Sequence, residues 1–285
     1  MEKFKLAAVQ MNALRGKLAY NLKVHQKIAQ EAARAGCRLI MFPELSVTTH
    51  YGDDDVTRFA GEAGKGKIHD TMLALAKKLK VVIGYGICEK LAATNFNSYV
   101  LMGPKGILGI QQKIHASQDE YFSFRMGRSL DVFDMGFCRV GISICLDSNF
   151  CETWRTLALK GADLLLLPHA GRSGWGKKIA KAAQKKSLKG QLGNAPGKYG
   201  IYAADNCVFA AYCNQVDYNG HSTHSGGAYI ISPEGKPLAK SEPILDDCWI
   251  SAELDPALLD KARNSRGSQM RIRRPEVYGE ITKMI

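Results

Sequence analysis

The chain has 285 residues, of which 46% are hydrophobic and 23% are charged, so it can bury a large core, and disorder is expected only in loops. Its formal net charge is +12, and the surplus lies in segments 177–189 and 261–274, which hold six basic residues each and no acidic one. Neither segment interleaves its charges with aromatic residues, so we expect no nucleic-acid partner.

Secretion and membrane insertion are not expected either. The amino terminus contains only a short apolar run that lacks the core of a signal peptide, and no run approaches membrane-spanning length. The eight cysteines show no paired C-x-x-C spacing, and several lie in apolar stretches. This usage is typical of reduced thiols rather than of disulfides or a structural zinc site. We therefore expect a cytoplasmic protein.

Short apolar and β-branched runs alternate with amphipathic stretches along the chain, which is typical of an α/β protein. In chain order, the strands are predicted at Lys5–Met11, Arg38–Phe42, Val81–Cys88, Asn97–Met102, Ile107–Lys113, Phe137–Cys145, Leu164–Pro168, Cys207–Asn214, Gly227–Ser232 and Cys248–Leu254. The helices are predicted at Leu18–Ala35, Ile68–Leu79, Phe150–Lys160 and somewhere within Lys177–Leu188. Turn sequences at Gly103–Gly106 and Ser232–Gly235 join strand directly to strand, so the sheets are expected to be mixed. No linker divides the chain, which favours a single domain.

Three of the predicted strands run into a residue with a reactive side chain. CRLIMF runs into Pro43-Glu44, GILGIQQ runs into Lys113, and VGISI runs into Cys145. Taken one at a time, these residues are better explained as a solvated turn glutamate, a surface lysine and a core cysteine. Sites in layered α/β folds assemble at the carboxyl ends of strands, however, and a buried Glu, Lys and Cys in contact would satisfy one another. The carboxylate could take the thiol proton, the thiolate could attack an acyl carbon, and the ammonium could hold the oxyanion.

The stretch GISICLDSNF, residues 141–150, places Cys145 between a strand and a helix. Asn149 is predicted as the N-cap of that helix, with Glu152 at its third position. The macrodipole and the free N–H groups at a helix N-terminus favour a thiolate over a thiol. We therefore expect Cys145 to be an activated nucleophile.

The three strand-end residues lie in motifs that resemble those of the nitrilase superfamily of carbon–nitrogen hydrolases, in the family's order. MFPE at 41–44 resembles the glutamate motif, KIH at 113–115 resembles the lysine motif K-x-H, and ICLDSNFCETWR at 144–155 resembles the cysteine motif. Each motif is weak by itself, but the three together are specific. The resemblance covers nearly the whole chain.

Further similarities and two departures accompany these motifs. GADLLLLP at 161–168, the Asp-Asn pair at 205–206 and RRPEVY at 273–278 also resemble the family. Cys151 stands where the family usually has proline, and Tyr202 stands where it usually has arginine. Neither departure touches the three strand-end residues, but both leave the branch of the family, and hence the substrate, open.

The resemblance implies a four-layer αββα sandwich of two mixed β-sheets, with no cofactor and no metal. It implies that Glu44 is the general base, Lys113 the oxyanion stabiliser and Cys145 the nucleophile, with the backbone N–H of Leu146 completing the oxyanion hole. It also implies a homodimer or larger homo-oligomer, in which residues 265–285 form a tail at a subunit interface.

Two residues near the lysine motif have alternative interpretations. Glu120 matches a second glutamate of the family, which would orient the lysine and the leaving nitrogen; the alternative is a solvated loop acid. His115 is interpreted as a structural, hydrogen-bonding histidine, because the roles of base and oxyanion stabiliser are already filled.

A lysine-rich segment follows these motifs. Lys177, Lys181, Lys185 and Lys189 recur at i,i+4 spacing, so a helix there would bring like charges together. The segment is either a solvated lysine face or lies near the pocket mouth, where it would attract an anionic substrate or meet an acidic patch of another subunit. The sequence leaves these alternatives open.

The sequence therefore predicts a thiol-dependent hydrolase that cleaves a non-peptide carbon–nitrogen bond of a small amide or carbamoyl compound through a thioester, releasing ammonia or an amine and a carboxylic acid. A nitrilase acting on a C≡N substrate is the alternative within the enzyme class. A catalytically silent scaffold or binding protein is the alternative outside it. Loops 46–66, 117–130 and 170–200, which are expected to form the pocket, carry no motif that identifies the acyl or leaving group.

Overall fold

Two six-stranded sheets and one three-stranded sheet form the framework of residues 1–49, 56–117 and 120–283, which the computed structural model describes, with the backbone alone at 56 and 57. The strands are β1 (Phe4–Gln10), β2 (Cys37–Met41), β3 (Val82–Leu91), β4 (Thr94–Gly103), β5 (Gly106–Gln112), β6 (Val132–Asp134), β7 (Arg139–Ile142), β8 (Leu164–His169), β9 (Arg172–Gly174), β10 (Phe209–Asn214), β11 (Val216–Tyr218), β12 (Thr223–Ser225), β13 (Ala228–Ile231), β14 (Pro237–Lys240) and β15 (Cys248–Leu254).

The helices of the described residues are α1 (Leu18–Arg34), α2 (Val56–Phe59), α3 (Lys67–Leu79), α4 (Glu120–Ser123), α5 (Cys151–Leu159), α6 (Lys181–Gly193), α7 (Lys198–Asn206), α8 (Pro256–Asn264) and α9 (Gln269–Ile272). Short 3-10 helices occur at Cys145–Asn149, Pro275–Val277 and Gly279–Thr282. None of these helices combines the length and the apolar character that a bilayer crossing requires.

Both large sheets mix parallel and antiparallel pairs, as predicted. The first has the order β15-β1-β2-β3-β4-β5, in which β1, β2 and β3 are parallel and the other neighbours are antiparallel. The second has the order β14-β13-β10-β8-β7-β6, with a parallel centre of β10, β8 and β7. The predicted turns Gly103–Gly106 and Ser232–Gly235 connect β4 to β5 and β13 to β14. The small sheet has the order β11-β12-β9.

The two large sheets pack face to face, and each is covered by helices on its other side. Because side chains alternate along a strand, one set of apolar residues meets between the sheets, including Leu6 of β1 and Leu166 of β8. The alternate set of the first sheet packs against α1 and α3, as Ile40 does. The alternate set of the second sheet, including Leu165, packs against α5, α6 and α7. The predicted four-layer αββα sandwich is therefore confirmed.

The lysine-rich helix lies further along the chain than predicted. It is α6, and its buried stripe is Gln184, Leu188 and Leu192, while its lysines are exposed. Burial of this narrow stripe against the second sheet anchors the helix despite the repulsion among its like charges.

Besides the four-residue helices α2, α4 and α9, two helices of the described residues were not predicted from the sequence. One is α7, which begins after Gly197 and packs Tyr199 and Ala203 into the core of the second sheet. The other is α8, whose start carried a recognisable signal: Asp255 caps the N–H of Ala257, and proline follows at the first helical position.

Candidate active site

Glu44 lies in a tight turn that follows β2 and packs against the backbone of β3. A Cβ at Gly86 would lie 2.1 Å from the backbone nitrogen of Leu45, so only glycine permits this approach. The Tyr99 hydroxyl donates a hydrogen bond of 2.7 Å to the carbonyl of Phe42 at the start of the turn. The turn therefore holds Glu44 at a fixed distance from the sheet.

Glu44, Lys113 and Glu120 form a buried cluster in which each side chain is 1–4% exposed. The Lys113 ammonium lies 2.8 Å from Glu44 and 2.7 Å from Glu120. Asn97 donates from its amide to both carboxylates, at 2.7 and 3.0 Å. The backbone N–H of Ala170 donates to the other oxygen of Glu44 at 2.7 Å. The structure thus brings three of the predicted residues into contact, and Glu120 is not a solvated loop acid.

The cluster offsets the cost of burying its charges. Burial disfavours the charge on Lys113, but Glu44 and Glu120 outweigh this effect and hold the pKa of the ammonium well above its ordinary value. Glu120 also accepts hydrogen bonds from the Ser117 N–H at 2.7 Å and the Ser117 hydroxyl at 2.6 Å. Buried ion pairs persist where such additional bonds satisfy the remaining lone pairs.

Cys145 begins a 3-10 helix shortly after β7 and is half-buried. Its φ of 51° lies in the left-handed region, which costs an L-residue roughly 1–2 kcal/mol. Burial raises the pKa of the Cys145 thiol, and the charge and hydrogen bond of Glu44 raise it further, while Lys113 opposes both. The predicted lowering of the Cys145 pKa by the helix end is therefore wrong. Burial and the charge of Glu44 raise this pKa, and the helix that Cys145 begins has only five residues.

The predicted N-cap is also wrong. Helix α5 begins at Cys151 with Phe150 in the N-cap position, and no side chain caps it. The side-chain oxygen of Asn149 instead accepts hydrogen bonds from Lys198 at 2.7 Å and from the Tyr199 hydroxyl at 3.1 Å. Asn149 therefore ties the cysteine loop to α7.

Asp147 ties the same loop to the residues that follow β5. Its buried carboxylate accepts hydrogen bonds from the backbone N–H groups of Ile114 at 3.2 Å and His115 at 2.7 Å, and it lies 2.8 Å from His115 Nδ1. The His115 ring stacks on Phe150 with 4.1 Å between centroids. This geometry agrees with a structural, hydrogen-bonding role for His115.

One cavity of about 450 Å³, which we call the acid lobe, is lined by all the residues predicted to act in catalysis, Glu44, Lys113, Glu120, Cys145 and Leu146. Leu146 is the second residue of the 3-10 helix, where N–H groups have no acceptor within the helix. Arg172 and Trp175 form another part of the wall, and the guanidinium lies 3.8 Å from the indole centroid. The lobe thus combines a thiol, two carboxyl groups, an ammonium and a helix end, which suit nucleophilic acyl chemistry.

The described residues include no group of three or more His, Cys, Asp and Glu side chains arranged to hold a metal ion. None of the eight cysteines, all of which lie in the described part of the chain, forms a disulfide bond.

Sequence analysis missed three residues that donate hydrogen bonds to the cluster, Asn97, Ser117 and Ala170. Asn97 is buried within β4, but Thr94, Asn95 and Ser98 of the same strand are polar too, so its residue type alone does not mark it. The N–H of Ala170 was not predictable, because a backbone donor leaves no trace in the residue type.

Comparisons with known proteins agree with this geometry. A family model described as carbon-nitrogen hydrolase matches residues 5–264. The chain is 30% identical to a nitrilase from Pyrococcus abyssi over 278 residues, 96% of this chain and 98% of that protein. It is 29% identical to omega-amidase NIT2-A from Xenopus laevis over 275 residues, 92% of each. The crystal structure of a carbon-nitrogen hydrolase from Helicobacter pylori G27 superposes with a TM-score of 0.85 at 21% identity over 99% of both chains, which shows a shared fold.

Proposed function

The chain belongs to the carbon–nitrogen hydrolase family, and we propose that it hydrolyses a small amide or carbamoyl compound at a non-peptide carbon–nitrogen bond. The products are ammonia or an amine and a carboxylic acid. One observation carries the proposal: Cys145, Glu44 and Lys113 line the same cavity, and the Lys113 ammonium lies 2.8 Å from the Glu44 carboxylate.

The first step transfers a proton within the cluster. Glu44 takes the thiol proton of Cys145 as the sulfur attacks the carbonyl carbon of the substrate. Because the proton moves from sulfur to a neighbouring carboxylate, the net charge of the buried cluster does not change. This supports a reaction that starts from a thiol of raised pKa, since a thiolate is needed only during attack.

The oxyanion of the tetrahedral intermediate would be held by the Lys113 ammonium and the N–H of Leu146. Both groups line the acid lobe beside Cys145. Lys113 is fixed by Glu44 and Glu120, so it needs little rearrangement when the negative charge develops.

Collapse of the intermediate breaks the carbon–nitrogen bond. Glu44 returns its proton to the departing nitrogen, and the acyl group remains on Cys145 as a thioester. A water molecule then gives a proton to Glu44 and attacks the thioester carbon. The acid leaves, and the sulfur regains its proton from Glu44. Glu120 would position Lys113 and the leaving nitrogen.

A nitrilase reaction uses the same nucleophile on a C≡N carbon and is the second candidate. The 30% identity to a protein named nitrilase favours it, whereas the 29% identity to an omega-amidase favours an amide. A catalytically silent protein is disfavoured, because the nucleophile, the base and the ammonium are all present and line one cavity.

The test is release of ammonia from matched amides, carbamoyl compounds and nitriles. We expect release from at least one amide or carbamoyl compound and a covalent acyl adduct on Cys145 in peptide mass spectra. Cys145→Ala should abolish both. Cys151→Ala is the matched control, because this exposed thiol lies outside the cavity and should be dispensable. Turnover of nitriles alone would establish the second candidate, and no turnover of any class would overturn the hydrolase proposal.

We further propose that residues 1–285 form one domain that works in the cytoplasm as a homodimer or larger assembly, with residues 265–285 at the interface. In this tail, Ile272, Val277 and Ile281 are 63–64% exposed, and clustered exposed apolar residues are typical of interaction surfaces. Sedimentation velocity should give a multiple of the 31.3 kDa chain mass. A single-chain mass at micromolar concentration would contradict the proposal.

A further inference from the structure

A second cavity of about 480 Å³ also has Cys145 in its wall and adjoins the acid lobe. It shares Ser117, Cys145, Leu146 and Gly171 with the acid lobe. We call it the tyrosine lobe, because its wall is formed by the side chains of Tyr199, Tyr212, Tyr229 and His169.

The aromatic wall is built by neighbouring strands of the second sheet and by α7. Tyr212 of β10 pairs with Tyr229 of β13, and their rings stack with 4.5 Å between centroids and an angle of 8°. Tyr199 of α7 lies 6.1 Å from Tyr212, and His169 at the end of β8 lies 4.6 Å from it. Cys145 lines this lobe together with Tyr199 and Tyr212. The wall therefore begins beside the reacting sulfur.

His169 is buried, with 8% of its surface exposed. Within residues 1–49, 56–117 and 120–283, its Nε2 atom has no hydrogen-bond partner. Burial lowers the pKa of His169 to about 3, and the charges of Lys113 and Lys198 lower it further, so the ring is neutral. A buried polar group without a partner is costly, and its position in a cavity wall points to a ligand.

The two lobes differ in chemistry, and this difference indicates which lobe holds the leaving nitrogen and which holds the acyl substituent. Glu44, Lys113 and Glu120 line the acid lobe only. Under the proposed function, Glu44 protonates the leaving nitrogen, so that nitrogen must lie in the acid lobe. The acyl substituent on the other side of the carbonyl carbon then extends into the tyrosine lobe.

We propose that the tyrosine lobe is the acyl-binding subsite and selects amides whose acyl group carries an aromatic or heteroaromatic ring without positive charge. The proposal rests on the proposed function, which supplies the orientation of the substrate. Aromatic rings pack on one another with an interaction beyond that of the buried area alone, so three tyrosines and an imidazole favour a ring over a saturated chain.

The charges around the tyrosine lobe argue against organic cations, the other class of ligand that tyrosine-lined cavities bind. Aromatic faces also attract organic cations. Among the described residues that line the tyrosine lobe, however, there is no Asp or Glu, and Lys198 lies at its edge with its ammonium 5.5 Å from the Tyr199 ring centroid. A cationic acyl group would lose its hydration there without gaining a counter-ion.

The test compares kcat/KM for four primary amides: propionamide, 3-phenylpropionamide, 3-cyclohexylpropionamide and 6-aminohexanamide. We expect 3-phenylpropionamide to exceed the cyclohexyl compound by roughly 2- to 10-fold, and to exceed the cationic amide by about tenfold or more. Tyr199→Leu should move the phenyl-to-cyclohexyl ratio towards one, whereas Tyr199→Phe should keep it. Tyr20→Leu, at an exposed position on α1, is the matched control and should keep both ratios.

The possible failures are distinguishable. If neither these amides, propionamide included, nor the carbamoyl compounds of the first test release ammonia, the proposed function fails. If propionamide and the cyclohexyl compound are hydrolysed but the phenyl compound is no better, or if the cationic amide is preferred, the acyl-subsite proposal fails alone. An unchanged ratio in Tyr199→Leu would also overturn it.

Discussion

Glu44→Gln should make the Cys145 thiol more acidic while it slows the enzyme. Burial is the first cause of the raised pKa of Cys145, and the charge of Glu44 is the second. The substitution removes that charge and leaves the Lys113 ammonium beside the thiol, so the pKa should fall. Turnover should nevertheless drop by about 10²- to 10⁴-fold, because the proton acceptor is lost. If Glu44 only neutralised the charge of Lys113, its replacement would not combine a lower Cys145 pKa with such a large loss of turnover.

The cost of the same substitution in stability follows from the hydrogen bonds of Glu44. Its partners are all donors: the Lys113 ammonium, the Asn97 amide and the Ala170 N–H. A glutamine has one acceptor oxygen, so its NH₂ group must face at least one of these donors. A buried donor without an acceptor costs about 1–3 kcal/mol. For a chain of this size, this lowers Tm by roughly 2–4 °C per kcal/mol.

Alkylation by iodoacetamide as a function of pH, with peptide mass spectrometry to identify the modified thiol, measures the pKa of Cys145 in both proteins. Cys151 is exposed and serves as an internal reference within the same sample. Ammonia release and calorimetry measure turnover and Tm. A Cys145 pKa that stays the same or rises in Glu44→Gln, or turnover within tenfold of the original, would refute the reasoning.

Two further predictions concern residues behind the Glu44 turn. Burial lowers the pKa of His25 to about 4 from 6.5. Between these pH values the unfolded chain binds a proton at His25 that the folded chain does not bind. The free energy of unfolding is therefore unaffected by His25 protonation above about pH 6.5, and it falls by roughly 3 kcal/mol as the pH drops to about 4. Urea unfolding at pH 7 and pH 4.5 should show a smaller loss for His25→Asn than for the original chain, and equal losses would contradict the assignment. Gly86→Ala should destabilise the protein by about 1–3 kcal/mol and reduce turnover, because its methyl group would displace the backbone at Leu45. Gly190→Ala on α6, where a Cβ meets no atom within 4 Å, should instead stabilise by about 0.5–1 kcal/mol, and equal Tm values for the two variants would contradict both expectations.

The parts that the sequence predicted correctly have strong local signals. The central strands are apolar runs bounded by turns, and the antiparallel connections at Gly103–Gly106 and Ser232–Gly235 have turn sequences that no helix tolerates. The positions of Glu44, Lys113 and Cys145 directly after strands were enough to predict that they converge. The position of each residue after a strand was enough for this prediction, because the three strands end at the same edge of the sandwich.

The errors concern effects that depend on tertiary surroundings. Asn149 has a residue type that caps helices, but its oxygen is used by Lys198 and Tyr199 of α7, a helix that was not predicted. The ionisation of Cys145 was predicted from a helix end, whereas burial and a carboxylate 101 positions earlier in the chain determine it. Neither distance nor burial can be read from the residues around position 145.

The geometry of the site depends on the packing of the two sheets, because two of its hydrogen bonds cross between them. Glu44, which follows β2 of the first sheet, accepts from Ala170, which follows β8 of the second. Asp147, in the loop after β7 of the second sheet, accepts from His115, which follows β5 of the first. The distance from the thiol to its base is therefore set by the apolar core between the sheets. Since such cores are packed as densely as crystals, a side chain that is too small there shifts one sheet against the other. Turnover should consequently be more sensitive to substitutions in this core than to equally destabilising ones beneath the outer helices.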